Sequence, residues 1–115
     1  MSTSTGELLQ GTLAILILKA LLPGQPTHGY GIARWLEATT DDVLRIEEGS
    51  LYPALRRVED RGWVESEWGL SENNRRARFY TITRAGRAHL RAEGAVWLRY
   101  AAAVTRVLRA APALA

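Results

Sequence analysis

Residues 47–86 read EEGSLYPALRRVEDRGWVESEWGLSENNRRARFYTITRAG, and the order of patterns within this stretch decides the fold. Leu51, Leu55 and Val58 recur at i, i+4 and i+7, which makes the core face of a short helix over about residues 49–61. Pro53 has no N–H to donate, so it is expected in the first turn, with the helix starting near Gly49 or Ser50. Glu47 and Glu48 then sit at the positive end of the helix dipole, and Gly62 is a natural C-terminal stop. Residues 64–68 and 78–82 carry the Val, Trp, Phe, Tyr, Thr and Ile of strands. Residues 69–76 between them hold Gly, Ser, two Asn and two Arg, which predicts a hairpin with a long polar loop. Tyr80 and Ile82 share the inward face, and Phe79 and Thr81 the other. Thr83 is placed to cap a following helix.

Outward from this stretch, the chain has 115 residues, enough for one domain with one core. Residues 1–7 are expected to be a flexible polar tail without a secretory signal. A first helix spans about residues 8–22 and is apolar nearly all round, so it must be covered on more than one side. It holds Lys19, ends at Pro23 and is too short for the ~20 residues of a membrane span. A second helix covers about residues 30–38, with Ile32, Trp35 and Leu36 as its apolar stripe and Thr27 or His28 near its start. The absence of cysteine excludes disulfides and thiolate metal sites and fits a cytoplasmic protein.

The last helix is expected over about residues 84–110. Leu90, Gly94, Trp97, Ala101, Val104 and Leu108 are spaced 4, 3, 4, 3, 4 along it, a seam of coiled-coil type. Little of one domain remains for so long a seam to pack on. A homodimer is therefore expected, with Leu13 and Ile17 of the first helix joining the interface. Trp97, flanked by Gly94 and Ala101, has two readings: plain packing, or a slot at the dimer axis for a flat apolar effector.

Charge is unevenly distributed. Residues 1–72 hold six basic groups against eleven acidic ones, net −5, whereas residues 73–115 hold nine arginines against Glu93 alone, net +8. A basic patch of this kind suits a polyanion at one face. A helix followed by a basic hairpin is the layout of a winged helix-turn-helix. In that fold Ser50, Tyr52, Pro53, Arg56 and Arg57 are placed to meet a major groove of double-stranded DNA. Asn73, Asn74, Arg75, Arg76 and Arg78 on the wing suit phosphate or minor-groove contact. Tyr30 opens the second helix, where the N-terminus favours phosphate; the alternative is a core tyrosine.

The expected architecture is thus mainly α with a small β-hairpin: a winged helix-turn-helix over residues 8–83 and a long dimerisation helix over residues 84–115. Enzymatic chemistry has little support. His28 and His89 are the only histidines, and no nucleophile triad, metal-ligand spacing or phosphate-binding glycine motif occurs. No cofactor is expected. Two other functional classes fit the same residues: a winged-helix module that docks proteins, and a ligand-sensing dimer.

LLQGTLAILILKALL, HGYGIARWLE, EEGSLYPALRRVEDRGWVESEWG, SENNRRARFYTIT and AGR, in this order over residues 8–87, resemble the PadR-like transcriptional regulators. One departure is Ala14, where many members carry an acidic residue. The resemblance implies a winged helix that dimerises through its C-terminal helix, often represses transcription and reads operators of two-fold symmetry. It also implies reading positions at Ser50, Leu51, Tyr52 and Arg56, with Tyr30 in the second helix and Arg75, Arg76 and Arg78 in the wing. In the short subgroup it implies flat aromatic effectors between the dimer halves, near Trp97.

Overall fold

The structure is a computed structural model that describes residues 5–113. Residues 1–4 of the expected tail lie outside the described residues. The elements are α1 Thr5–Ala20, β1 Thr27–His28, α2 Gly29–Thr39, α3 Glu48–Asp60, β2 Val64–Leu70, β3 Arg76–Ile82 and α4 Arg84–Arg109. Three strands form one antiparallel sheet in the order β1-β3-β2. The first helix begins at Thr5 rather than Leu8, because its polar first turn carries no apolar periodicity to read.

α1 lies centrally, with α2, α3 and α4 packed against it. This explains its all-round apolarity and corrects one expectation. Leu13 and Ile17 are 1% and 0% exposed, enclosed by the chain's own core and unavailable to a partner. Leu90 of α4 also packs against that core. Half-buried Ala14 sits at its edge, where an acidic side chain would face apolar neighbours.

α3 ends as its sequence predicts. Gly62 takes a φ of +77°, the Trp63 N–H donates to the Val58 carbonyl, and the Gly62 N–H donates to the Glu59 carbonyl, both at 2.9 Å. This double bond is a Schellman ending, which a left-handed residue after the cap makes possible. Its beginning differs from the prediction. The Glu47 carbonyl accepts from the Ser50 and Leu51 N–H groups, so the helix starts at Glu48 and Pro53 is its sixth residue, beyond the first turn. Pro53 gives no N–H to the Gly49 carbonyl one turn before it; early in a helix that loss is tolerable.

The hairpin is longer and its loop shorter than expected. Leu70 pairs with Arg76, and the Ser71 N–H donates to the Arg75 carbonyl at 2.8 Å. Glu72, Asn73 and Asn74 make the turn, with Asn74 at φ +59°, a left-handed position asparagine tolerates. β1, only two residues long, had no readable pattern of its own; it pairs Thr27 with Tyr80 and His28 with Phe79.

Thr83 fastens α4 to the rest. Its hydroxyl accepts from the Gly86 N–H at 3.0 Å and donates to the Gly62 carbonyl at 2.7 Å, while its N–H donates to the Trp63 carbonyl at 3.0 Å. Gly86 is buried so tightly against Trp63 that a Cβ there would collide with the Trp63 carbonyl oxygen. His89 stacks on the Trp63 ring at 3.6 Å between centroids. Past Leu90, α4 runs outward with Val96, Leu98, Tyr100, Val107 and Leu108 exposed.

Candidate nucleic-acid interface

Helical periodicity splits α3 into two faces. Leu51, Ala54, Leu55 and Val58 are buried, while Tyr52, Pro53, Arg56 and Arg57 are exposed and Ser50 is half-buried. Leu51 is 2% exposed, so the reading role implied for it by resemblance does not hold: its side chain faces the core and reaches no ligand.

Tyr52 leans toward α2. A Cβ on Gly29 would lie 3.1 Å from its ring, so the absence of a side chain at Gly29 lets the two helices approach. α2 is capped by His28, whose Nδ1 accepts from the Gly31 N–H at 2.9 Å. Tyr30, in the first turn, is 67% exposed rather than in the core, and the Arg34 guanidinium lies 5.9 Å from its ring centroid.

Between these elements and the hairpin lies an open cleft of about 760 Å³ whose walls include Tyr30, Tyr52, Trp68, Arg75, Arg76 and Arg78. Tyr80 also lines it, and burial raises the Tyr80 phenol above its ordinary pKa; the nearby Glu59 carboxylate adds to the rise and Arg78 opposes it. Glu72 is the one carboxylate on its walls among the described residues. The cleft therefore offers aromatic faces and guanidinium groups, chemistry suited to a phosphate-bearing chain.

The tertiary structure thus brings Tyr30, Tyr52, Arg75, Arg76 and Arg78 to one cleft. Pro53, Arg56 and Arg57 lie outside its lining, on the exposed face of α3, and Asn74 is at the tip of the hairpin. Arg78 is less free than expected. Its Nε donates to the Ser66 hydroxyl at 2.8 Å, that hydroxyl donates to Glu59 Oε2 at 2.7 Å, and the Arg78 guanidinium is 3.7 Å from the same oxygen. Trp68 was not singled out in the sequence. Alternation in β2 puts Trp68 on the face of Ser66, but only the strand register sets it opposite Arg78.

A model of the transcriptional regulator PadR-like family matches residues 17–92. The chain belongs to this family. PadR-like proteins are transcriptional regulators. Among solved structures, the chain is similar to a transcriptional regulator from Clostridium thermocellum, with 27% identity, a TM-score of 0.76, and coverage of 87% of this chain and 96% of the other. It is also similar to a PadR family transcriptional regulator from Eggerthella lenta, with 32% identity, a TM-score of 0.72, and coverage of 91% and 88%. A protein of Lysinibacillus sphaericus without an assigned function is 27% identical over 84 residues, 73% of this chain and 76% of its own. The PadR-like winged helix accounts for the sheet and for α4 as a long C-terminal helix. No helix among the described residues is long and apolar enough to cross a membrane.

Proposed function

We propose that this PadR-like regulator binds double-stranded DNA in the cytoplasm as a homodimer and represses transcription. The observation that carries the reading is the shared orientation of α3 and the hairpin: exposed Tyr52 on α3 and Arg75 and Arg76 on the wing border the same cleft, with Tyr30 beside them. α3 would lie in a major groove with Ser50, Tyr52 and Arg56 toward the bases, and the wing arginines on the flanking backbone or minor groove. Two copies joined along Gly94, Trp97, Ala101, Val104 and Leu108 of α4 would meet half-sites about one helical turn apart. Support for this seam comes from exposed Trp97, Val104 and Leu108 on an outward-running helix. A flat apolar effector at that axis is a second reading, supported by Trp97 being 44% exposed between half-buried Gly94 and Ala101.

The test is a salt series of binding to the protein's own promoter region, against a scrambled duplex of equal length. Selective binding with a steep salt slope is expected. Arg56→Ala should relax selectivity, and Arg76→Ala should weaken binding to both duplexes and shallow the slope. Equal weak binding to both duplexes, or none, would refute the reading and favour a protein-docking module. For the effector, quenching of tryptophan fluorescence is compared with Trp97→Phe, because Trp35, Trp63 and Trp68 also emit.

A further inference from the structure

We infer that Trp68 is a positioning residue of the wing, one whose ring holds the Arg76 guanidinium in place beside Arg78, the strut to α3. The inference rests on the DNA-binding reading and adds to it the means by which the wing is kept in shape before any duplex arrives.

Three observations meet at this residue. The Arg76 guanidinium lies 4.6 Å and that of Arg78 5.3 Å from the Trp68 ring centroid. Trp68 pairs directly with Arg78 across the sheet, and Arg76, two residues earlier in β3, is its diagonal neighbour on the same face. The third is the Arg78–Ser66–Glu59 set, which reaches from the hairpin to α3. Trp68 is nevertheless 55% exposed, although it lies on the sheet face of buried Tyr80. Its ring carries two cations, and one of them is bonded to the helix that bears Tyr52 and Arg56.

The arrangement has a physical consequence. A free arginine on a hairpin loses rotamer freedom when it binds a phosphate, and restricting it in advance removes part of that cost. A cation–π contact at an exposed site contributes a factor of about 2–5. Arg78, with Nε given to Ser66 and its charge turned to Glu59, is a strut. Arg76, held by the ring alone among the interactions described, is presented outward. Trp68 thereby acts on the nucleic acid through Arg76 rather than by its own contact.

The experiment measures affinity for promoter DNA at one fixed salt concentration for wild type, Trp68→Phe and Trp68→Leu, each with Arg76 intact and in the Arg76→Ala background. Leucine keeps apolar bulk but has no ring quadrupole, whereas phenylalanine keeps the ring. The expected result is a loss of about 2–5-fold for Trp68→Leu with Arg76 present, a loss of about twofold or less for Trp68→Phe, and almost no loss for either in the Arg76→Ala background. Thermal unfolding of each variant checks that the hairpin remains folded. Wild-type affinity in Trp68→Leu would overturn the positioning role. Equal losses in both backgrounds would make Trp68 an independent contact and overturn it too. Phenylalanine failing as badly as leucine would overturn the cation–π basis of the positioning. Failure of wild type itself to bind the promoter would instead overturn the DNA-binding reading on which the inference stands.

Discussion

Gly86→Ala is a perturbation whose sign follows from geometry. The added Cβ would collide with the Trp63 carbonyl oxygen and would lie 2.9 Å from Ile82 Cγ1 and 3.0 Å from the Trp63 carbonyl carbon. None of these neighbours is the loose end of a flexible side chain: two are backbone, and Ile82 belongs to the core. The carbonyl cannot retreat freely, because it accepts the Thr83 N–H at 3.0 Å. Overpacking of this kind costs about 1–3 kcal/mol. A strained carbonyl hydrogen bond adds up to about 1 kcal/mol. Against this, alanine in place of glycine in a helix gains about 0.5–1 kcal/mol. The net loss is about 2 kcal/mol, or roughly 8 °C in Tm for a domain of this size. The control is Gly49→Ala in α3, where a Cβ meets nothing within 4 Å; it should leave Tm unchanged or raise it by a few degrees, about 2–4 °C. Both are read by circular dichroism melts at one protein concentration, since a dimer's Tm depends on concentration. A Gly86→Ala protein as stable as wild type would refute the close packing of α4 on the α3–β2 connection.

Three further outcomes follow from the same structure. Thr83→Val removes both the cap on Gly86 and the bond to the Gly62 carbonyl, and should cost about 1–2 kcal/mol in a urea titration, with little change in m-value. The raised pKa of Tyr80 means that its neutral form is favoured by folding: its contribution is fully present below the unfolded value of about 10 and is lost as pH rises through the higher folded value. Stability should therefore decline above about pH 10, and Tyr80→Phe should flatten that part of the profile in unfolding measured against pH. Trp97→Asp puts a charge on the proposed α4 seam; sedimentation should show a monomer, with weaker promoter binding, and an unchanged dimer would place the interface elsewhere.

Much of the local structure was legible in the residues because its causes are local. The i, i+4, i+7 spacing of Leu51, Leu55 and Val58 identified the buried side of α3, Gly62 its end, and Thr83 the start of α4. The PadR-like motifs point to the family whose model matches residues 17–92. Legibility stopped at Pro53, because helix geometry permits a proline in the second turn once its lost bond falls on an early carbonyl. It stopped also at Leu51, where a reading position implied by resemblance conflicts with the core position implied by periodicity, and the periodicity was right.

What only the tertiary structure decided concerns groups distant in sequence. An all-round apolar α1 needs cover, but sequence does not state whose; α2, α3 and α4 supply it, which takes Leu13 and Ile17 out of any subunit contact. The pairing of Thr27 and His28 with β3 depends on a partner some fifty residues later. The strand register that sets Trp68 opposite Arg78, and the approach of Glu59 to both Ser66 and Arg78, likewise have no local signal. By itself the sequence determined which segments fold and which residue types face inward, since neighbours along the chain set those. Packing between segments decided which arginines are held and which are presented.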